Sequence, residues 1–237
     1  MDAREQTDNR DGIVWHDGIA SFRGFPVEHR EVNVARMTLR IASMRDATHL
    51  LDQPDIAQRF LETDMAPYGV ELWPAAMMLA EYIHEHDAGP HNALEIGCGL
   101  GLVSIVAARM GWTVVAGDHE PSALMFARHN AELNEVSSIE FRVLDWNDPP
   151  PGRRFSRILG ADILYQLGNH APILMCIEAL LDEEGQALIA DPNRGVADRF
   201  PDAARLAGFH VEIEPVMAPQ SPERKVNGRI FRLTTRR

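Results

Sequence analysis

The stretch Ala93-Leu94-Glu95-Ile96-Gly97-Cys98-Gly99-Leu100-Gly101 decides how the chain is read. Its first four residues form a short run with strand character, and the apolar stretch 102–110 beyond it reads as a helix stopped by Gly111. Glycines between a strand and a helix let the backbone turn tightly and approach a ligand, while the helix start offers free N–H donors. A ligand carrying a carboxylate fits there. The spacing excludes two common loops. A dinucleotide fingerprint needs its third glycine three residues after the second, where this chain has Leu102, and a P-loop needs a Gly-Lys-Ser/Thr that is absent. What remains is three evenly spaced glycines, Gly97, Gly99 and Gly101, with an acid, Glu95, two residues ahead of them.

Outward from the loop, short β-like runs alternate with amphipathic helices from about residue 70, which predicts a mostly parallel sheet covered on both faces. A helix starts after Pro74, where Ala75, Met78, Leu79, Tyr82 and Ile83 recur at helical spacing, and ends near Gly89-Pro90. Strands are expected over 93–96, 113–116, 139–144, 156–160 and 186–190, and further helices over 121–133, 172–181 and 196–207. Pro121 and Pro172 suit first-turn positions, where a missing N–H costs nothing. Two last runs, 210–216 and 229–234, have a loop but no helix between them and should pair antiparallel, giving a doubly wound α/β sheet of seven strands with the last reversed. Residues 1–65 read as an N-terminal extension, a hairpin around 32–42 plus a helix around 55–62, packed near the mouth of a domain spanning 66–237.

The glycine loop resembles motif I of the class I S-adenosylmethionine-dependent methyltransferases. Two further positions fit. Asp118 ends the second domain strand, 21 residues after Gly97, where a carboxylate can accept hydrogen bonds from two ribose hydroxyls. Asp145-Trp146 ends the third, offering a carboxylate to an adenine amine and a ring to line the base. Taken alone, Asp118 would read as a helix cap before Pro121, and Trp146 as core.

At the end of the fourth strand stands Gly160-Ala161-Asp162-Ile163-Leu164-Tyr165. Ligands of open α/β sheets bind outside the carboxyl ends of the strands, so substrate chemistry belongs here. The Asn/Asp-Pro-Pro-Tyr/Phe run of enzymes that methylate nucleobase or glutamine amino groups is missing; Asn147-Asp148-Pro149-Pro150 follows the third strand instead and is read as loop. Asp162-x-x-Tyr165 resembles the Asp/Glu-x-x-Tyr/Phe signature of the seven-β-strand protein lysine methyltransferases, methyltransferase family 16. The resemblance extends to Glu71-Leu72-Trp73-Pro74, to 94–101 and to Asp145-Trp146, covering about residues 66–190. Asp191-Pro192-Asn193-Arg194 is similar to the Asp-Pro-Gly-Arg of the branch that methylates the electron transfer flavoprotein β subunit, with Asn193 in place of glycine. The resemblance implies S-adenosylmethionine as cofactor, lined by Trp73, Gly97, Asp118, Trp146 and Ala161, with Asp162 and Tyr165 forming the substrate channel. In that channel Asp162 would orient an incoming amine and Tyr165 would wall its alkyl stem.

Composition narrows the partners. The net charge of −12 over 237 residues, with no compact basic cluster, disfavours nucleic acid. Two cysteines, Cys98 and Cys176, make neither a disulfide framework nor a zinc site, and no metal is expected. Without an apolar leader or an 18-residue apolar run, a soluble cytoplasmic protein is the default. The expected acceptor is a lysine of a protein substrate; the alternatives are a small-molecule amine or ring nitrogen, or a cofactor-binding scaffold without turnover.

Overall fold

The computed structural model describes residues 12–16, 19–63, 66–221 and 224–235. The charged opening residues 1–11 lie outside that set.

The domain is built on β6 (Asn92–Ile96), β7 (Thr113–Asp118), β8 (Glu140–Val143), β9 (Phe155–Ala161), β10 (Leu181–Asp191), β11 (Phe209–Ser221) and β12 (Arg224–Thr235). Their order across the sheet is β11-β12-β10-β9-β6-β7-β8. The pairings of β6 with β7 and β9, of β7 with β8 and of β9 with β10 are parallel, whereas β12 runs antiparallel to both β10 and β11. This is the seven-stranded sheet with a reversed last strand that the sequence predicts. The last strand inserts between β10 and β11, so the chain returns to the sheet before the hairpin ends at its edge. Strand order reverses between β6 and β9, and the crevice at their carboxyl ends is where such sheets bind ligands.

Helices cover both faces. α2 (Pro74–His86), α3 (Leu102–Arg109) and α4 (Pro121–Leu133) share one apolar core with the N-terminal strands, and α5 (His170–Leu180) and α6 (Phe200–Leu206) close a second core on the other face. Proline sits in the first turn of α2, α4 and α6. The helix expected over 196–207 is split: a 3-10 turn spans Gly195–Arg199, and α6 starts only at Phe200, next to Pro201. No helix joins β8 to β9. The connection, 144–154, contains Pro149-Pro150-Pro151-Gly152, which cannot sustain a helical ladder, and is pinned by buried Leu144 and Trp146.

The extension holds more strands than the sequence suggests. A small sheet of β1 (Ile13–His16), β2 (Ile19–Phe22) and β3 (Phe25–Pro26) precedes the expected hairpin, β4 (Glu28–Val34) with β5 (Met37–Ser43), and α1 (Pro54–Thr63) is the expected helix. The hairpin is fastened to α4 by two asparagines that read backbone edges. Asn130 exchanges hydrogen bonds with Ala42 N (2.7 Å) and O (3.1 Å), and Asn134 with Arg40 N (3.0 Å) and O (2.7 Å). Among the described residues no helix is long and apolar enough to cross a membrane.

Candidate active site

A cavity of about 340 Å³ opens at the β6/β9 switch point. Its walls contain nine of the eleven residues expected at the site: Trp73, Glu95, Gly97, Gly99, Asp118, Trp146, Ala161, Asp162 and Tyr165. Gly101 and Asp145 do not line it.

The three evenly spaced glycines turn out to have two different jobs. All adopt left-handed backbone, with φ of 69°, 52° and 76°. A Cβ on Gly97 would stand 2.9 Å from Ile163 Cγ2 and 3.6 Å from the Trp146 ring, and one on Gly99 3.1 Å from the Gly69 carbonyl oxygen. Both keep the cavity wall thin. A Cβ on Gly101 would instead meet Ala127 Cβ at 2.9 Å, so this glycine lets α3 start against α4. Asp145 is exposed, and its Oδ1 accepts from the backbone N (2.8 Å) and side chain (2.8 Å) of Asn147. Its neighbour Trp146 is the one that faces the cavity, with its ring 6.2 Å from that of His119.

Asp118, at the end of β7, is 5% exposed. Its Oδ2 accepts from Gly99 N at 2.9 Å and its Oδ1 from Glu120 N at 2.9 Å, so it fixes the glycine loop while lining the cavity. A carboxylate has about four lone-pair sites, which leaves room for two more donors. Beside it, His119 Nε2 is buried without a hydrogen-bond partner, a polar atom that a ligand would satisfy. Glu120 also lines the cavity and is held by Arg59 of α1 at 2.9 and 3.0 Å, so the extension reaches this wall directly. Sequence reasoning missed Gly69, Glu71, His119 and Glu120. The last two could have been found, because they follow Asp118 directly at a strand end.

Glu95 is 1% exposed, and Ser104 donates to its Oε2 from both N (2.9 Å) and Oγ. Burial pushes its carboxyl up to about 8 despite those bonds. Because the folded value lies above the unfolded one, the folded chain takes up a proton; stability from this group is full below the ordinary carboxylate range and is lost as pH rises through about 8. Glu95→Gln keeps an acceptor for Ser104 and removes the charge. Without ligand, its melting temperature should exceed that of the native protein at pH 9 and match it near pH 5; a difference independent of pH in a thermal-shift series would refute the assignment.

On the far side of the cavity the chain leaves β9 through Asp162, whose φ is 58°, a left-handed value that aspartate tolerates better than most residues. The carboxylate expected to await an amine is already occupied. Arg194 donates to it bidentately, Nε to Oδ1 at 2.6 Å and Nη2 to Oδ2 at 2.9 Å, and the guanidinium carbon lies 5.5 Å from the Trp73 ring centroid. Asn193, standing where the resembling branch has glycine, adopts φ of 60°, so the turn that presents Arg194 survives the replacement. Trp73 is held by its own Nε1–H, which donates to Tyr68 O at 3.0 Å. Burial raises the Tyr165 phenol above its ordinary value, so it stays neutral.

The walls therefore carry five carboxyl groups, Glu71, Glu95, Asp118, Glu120 and Asp162, against one guanidinium, Arg194. Such a cavity favours cationic ligands. Among the described residues no group of three or more His, Cys, Asp or Glu side chains could hold a metal ion.

Several solved structures share this fold. The solved structure of a TehB-like SAM-dependent methyltransferase from Corynebacterium glutamicum superposes with a TM-score of 0.54 at 18% identity, covering 81% of this chain and 100% of that one. A ribosomal protein L11 methylase from Lactobacillus delbrueckii superposes with a TM-score of 0.52 at 19% identity, over 67% of this chain and 77% of that one. At these identities the likeness is one of fold. In sequence, the chain is 29% identical over 128 residues to the histone-arginine methyltransferase METTL23 of Xenopus laevis, covering 51% of this chain and 55% of the relative. It is 33% identical over 130 residues to the protein-lysine methyltransferase METTL21E of Mus musculus, covering 49% and 53%. The chain thus spans about half the length of the curated relatives it matches. A sequence model of the family described as lysine methyltransferase matches residues 52–200, which run from the start of α1 to the start of α6 and contain every cavity-lining residue, and the chain belongs to that family.

Proposed function

We propose that the chain is an S-adenosylmethionine-dependent N-methyltransferase whose acceptor is a lysine side chain of a protein. The observation that carries this reading is the cavity at the switch point, with one wall fit for a nucleoside and an amino acid and the other fit for a cationic side chain. When bound, S-adenosylmethionine supplies an electrophilic methyl group on a sulfonium sulfur. The chain's own residues fit it. The thin wall at Gly97 and Gly99 admits close approach, Asp118 keeps lone pairs for ribose hydroxyls, and His119 Nε2 lacks a partner. Trp146 and His119 offer ring faces, and Glu95 is a buried acid that a cation would return to its charged form. Trp73 and Ala161 complete the lining.

The acceptor side follows from charge and shape. Methyl transfer needs a nucleophile held close and in line, so the wall has only to position a nitrogen and exclude water. Trp73 and Tyr165 flank the channel with apolar ring surface suited to an alkyl stem, and the acidic walls attract a lysine from a protein surface. Membership of the lysine methyltransferase family and the likeness to the protein-lysine methyltransferase METTL21E favour lysine. The likeness to the histone-arginine methyltransferase METTL23 favours a second reading, an arginine acceptor, whose guanidinium suits the same acidic walls.

One experiment separates them: incubation with methyl-labelled cofactor and an extract of the host, then hydrolysis and chromatography of the labelled fraction. Label in methyl-lysine is expected. Label in methyl-arginine or only in small molecules would overturn the acceptor assignment, and failure to bind S-adenosylhomocysteine at millimolar ligand would overturn methyl transfer altogether. Asp118→Ala should weaken cofactor binding by about 1–3 kcal/mol, the scale of a charged group's lost hydrogen bonds; unchanged affinity by calorimetry would refute the ribose role.

A further inference from the structure

Arg194 raises a question the methyl-transfer reading leaves open: how an amine loses its proton in a cavity walled by carboxylates. At pH 7 only about one lysine in 2,500 is neutral. An opposite charge within about 4–6 Å holds an ionised group in its charged form and moves its pKa by about 1–3 pH units. A bare Asp162 would thus deepen the problem, keeping an incoming amine as an ammonium ion that has no lone pair to attack with. Asp162 is not bare. Both of its oxygens are taken by the fork of Arg194, a group that stays charged at any relevant pH.

The pair is held from several sides. Arg194 N donates to Asp191 Oδ1 at 3.0 Å, and the same oxygen accepts from Arg229 Nε at 3.1 Å. Arg229 in turn donates to Arg194 O at 3.1 Å and to Asp198 Oδ1 at 2.7 Å. Asp191 is fully buried, and β10, β12 and the turn at Gly195–Arg199 all contribute to the clasp. The other charged or titratable groups on the cavity walls are Tyr68, Glu71, Glu95, Cys98, Asp118, His119, Glu120 and Tyr165, none of them a second strong cation. Such a clasp does more than fill space: it fixes one positive charge at the acceptor side of an otherwise acidic cavity.

We propose that Arg194 is a positioning residue that sets the protonation state of the acceptor: by pairing both oxygens of Asp162 it neutralises the anion that would trap the amine as ammonium, so the nitrogen that enters as a cation can shed its proton in the channel. This rests on the methyl-transfer reading of the site. The proton leaves to water before transfer, the new N–CH3 bond forms as the S–CH3 bond breaks, and the neutral thioether departs.

The test needs no knowledge of the protein substrate. Sinefungin, an S-adenosylmethionine analogue bearing an amine where the sulfonium methyl stands, places a titratable nitrogen at the transfer position, and S-adenosylhomocysteine is the control without it. Calorimetric affinities of both, from pH 6 to 10, give their ratio for the native protein, Arg194→Met and Arg194→Lys. In Arg194→Met, sinefungin should gain at least about tenfold over S-adenosylhomocysteine at pH 7, the lower end of a one- to three-unit change, and lose the gain as pH rises to 10. Arg194→Lys should keep the native ratio within about threefold, and adding Asp162→Asn to Arg194→Met should abolish the gain. Arg194→Gln repeats the test if the methionine variant fails to fold. A ratio that does not change between native and Arg194→Met, while both bind S-adenosylhomocysteine, would overturn the proposal. Absence of S-adenosylhomocysteine binding to the native protein would instead overturn the methyl-transfer reading and this inference with it.

Discussion

Asp162→Ala is expected to lower methyl transfer by at least about 100-fold while S-adenosylhomocysteine affinity stays within about threefold. A 100-fold loss corresponds to about 2.8 kcal/mol of barrier, since each 1.4 kcal/mol is tenfold in rate. Here the charge left behind is Arg194, stacked on Trp73 inside the acceptor channel. Unpinned, it would repel the cationic side chain the channel is shaped to admit. The effect on folding should be small, because the Arg194 side chain is 35% exposed and water can take over part of its solvation. The proposed cofactor contacts centre on Gly97, Gly99 and Asp118, none of which touches the Asp162 carboxylate, so a large loss of S-adenosylhomocysteine binding in this variant would show that cofactor and acceptor do not occupy separate parts of the cavity. Single-turnover assays with labelled cofactor, beside calorimetry, measure both quantities on one preparation.

That these residues would gather at one cavity was legible in the sequence because strand ends are marked locally. Asp118 ends β7, Asp162 directly follows β9, Glu95 is one residue short of the end of β6 and Trp146 lies three residues past β8, and in a parallel sheet such ends face one crevice. What joins the walls was not legible. Arg194 and Asp162 lie 32 residues apart, and their pairing depends on β9 and β10 being neighbours with Ala161 opposite Ala190. Local pattern holds no record of such a register. The Asp191-Pro192-Asn193-Arg194 resemblance marked the segment but not the partner.

The extension shows the same limit from the side of turns. β1 and β2 pair antiparallel with His16 opposite Ile19, a pairing that the charged residues on either side hid from a reading based on apolar alternation. β2 and β3 join through Arg23-Gly24, and β4 and β5 through Ala35-Arg36, with positive φ at both central residues of each turn. Such turns favour Gly, Asn or Asp. Ala35-Arg36 offers none of these, so the bend in the middle of that alternating stretch is set by strand register and by Asn130 and Asn134 of α4, residues almost a hundred positions away.

The second large effect expected is on folding, from Gly101→Ala. The sequence groups this glycine with the cofactor loop; the structure puts its Cα against α4, where a Cβ would lie 2.9 Å from Ala127 Cβ and 3.2 Å from Ala127 Cα. The backbone there has φ of 76°, which costs a residue with a side chain about 1–2 kcal/mol. Overpacking two rigid helices adds about 1–3 kcal/mol, since the neighbouring alanine has no rotamer with which to retreat. For a chain of this size each kilocalorie lowers the melting temperature by about 2–4 °C, so a fall of roughly 5–15 °C should follow. S-adenosylhomocysteine affinity of the folded fraction should change little, because Gly101 does not line the cavity. Gly99→Ala inverts the pattern. Its Cβ would press on the Gly69 carbonyl oxygen at 3.1 Å, beside the N–H that Asp118 holds, so ligand affinity should fall more than stability does. If instead both variants lose affinity and stability in parallel, the three glycines act as one unit, and the assignment of Gly101 to helix packing is wrong.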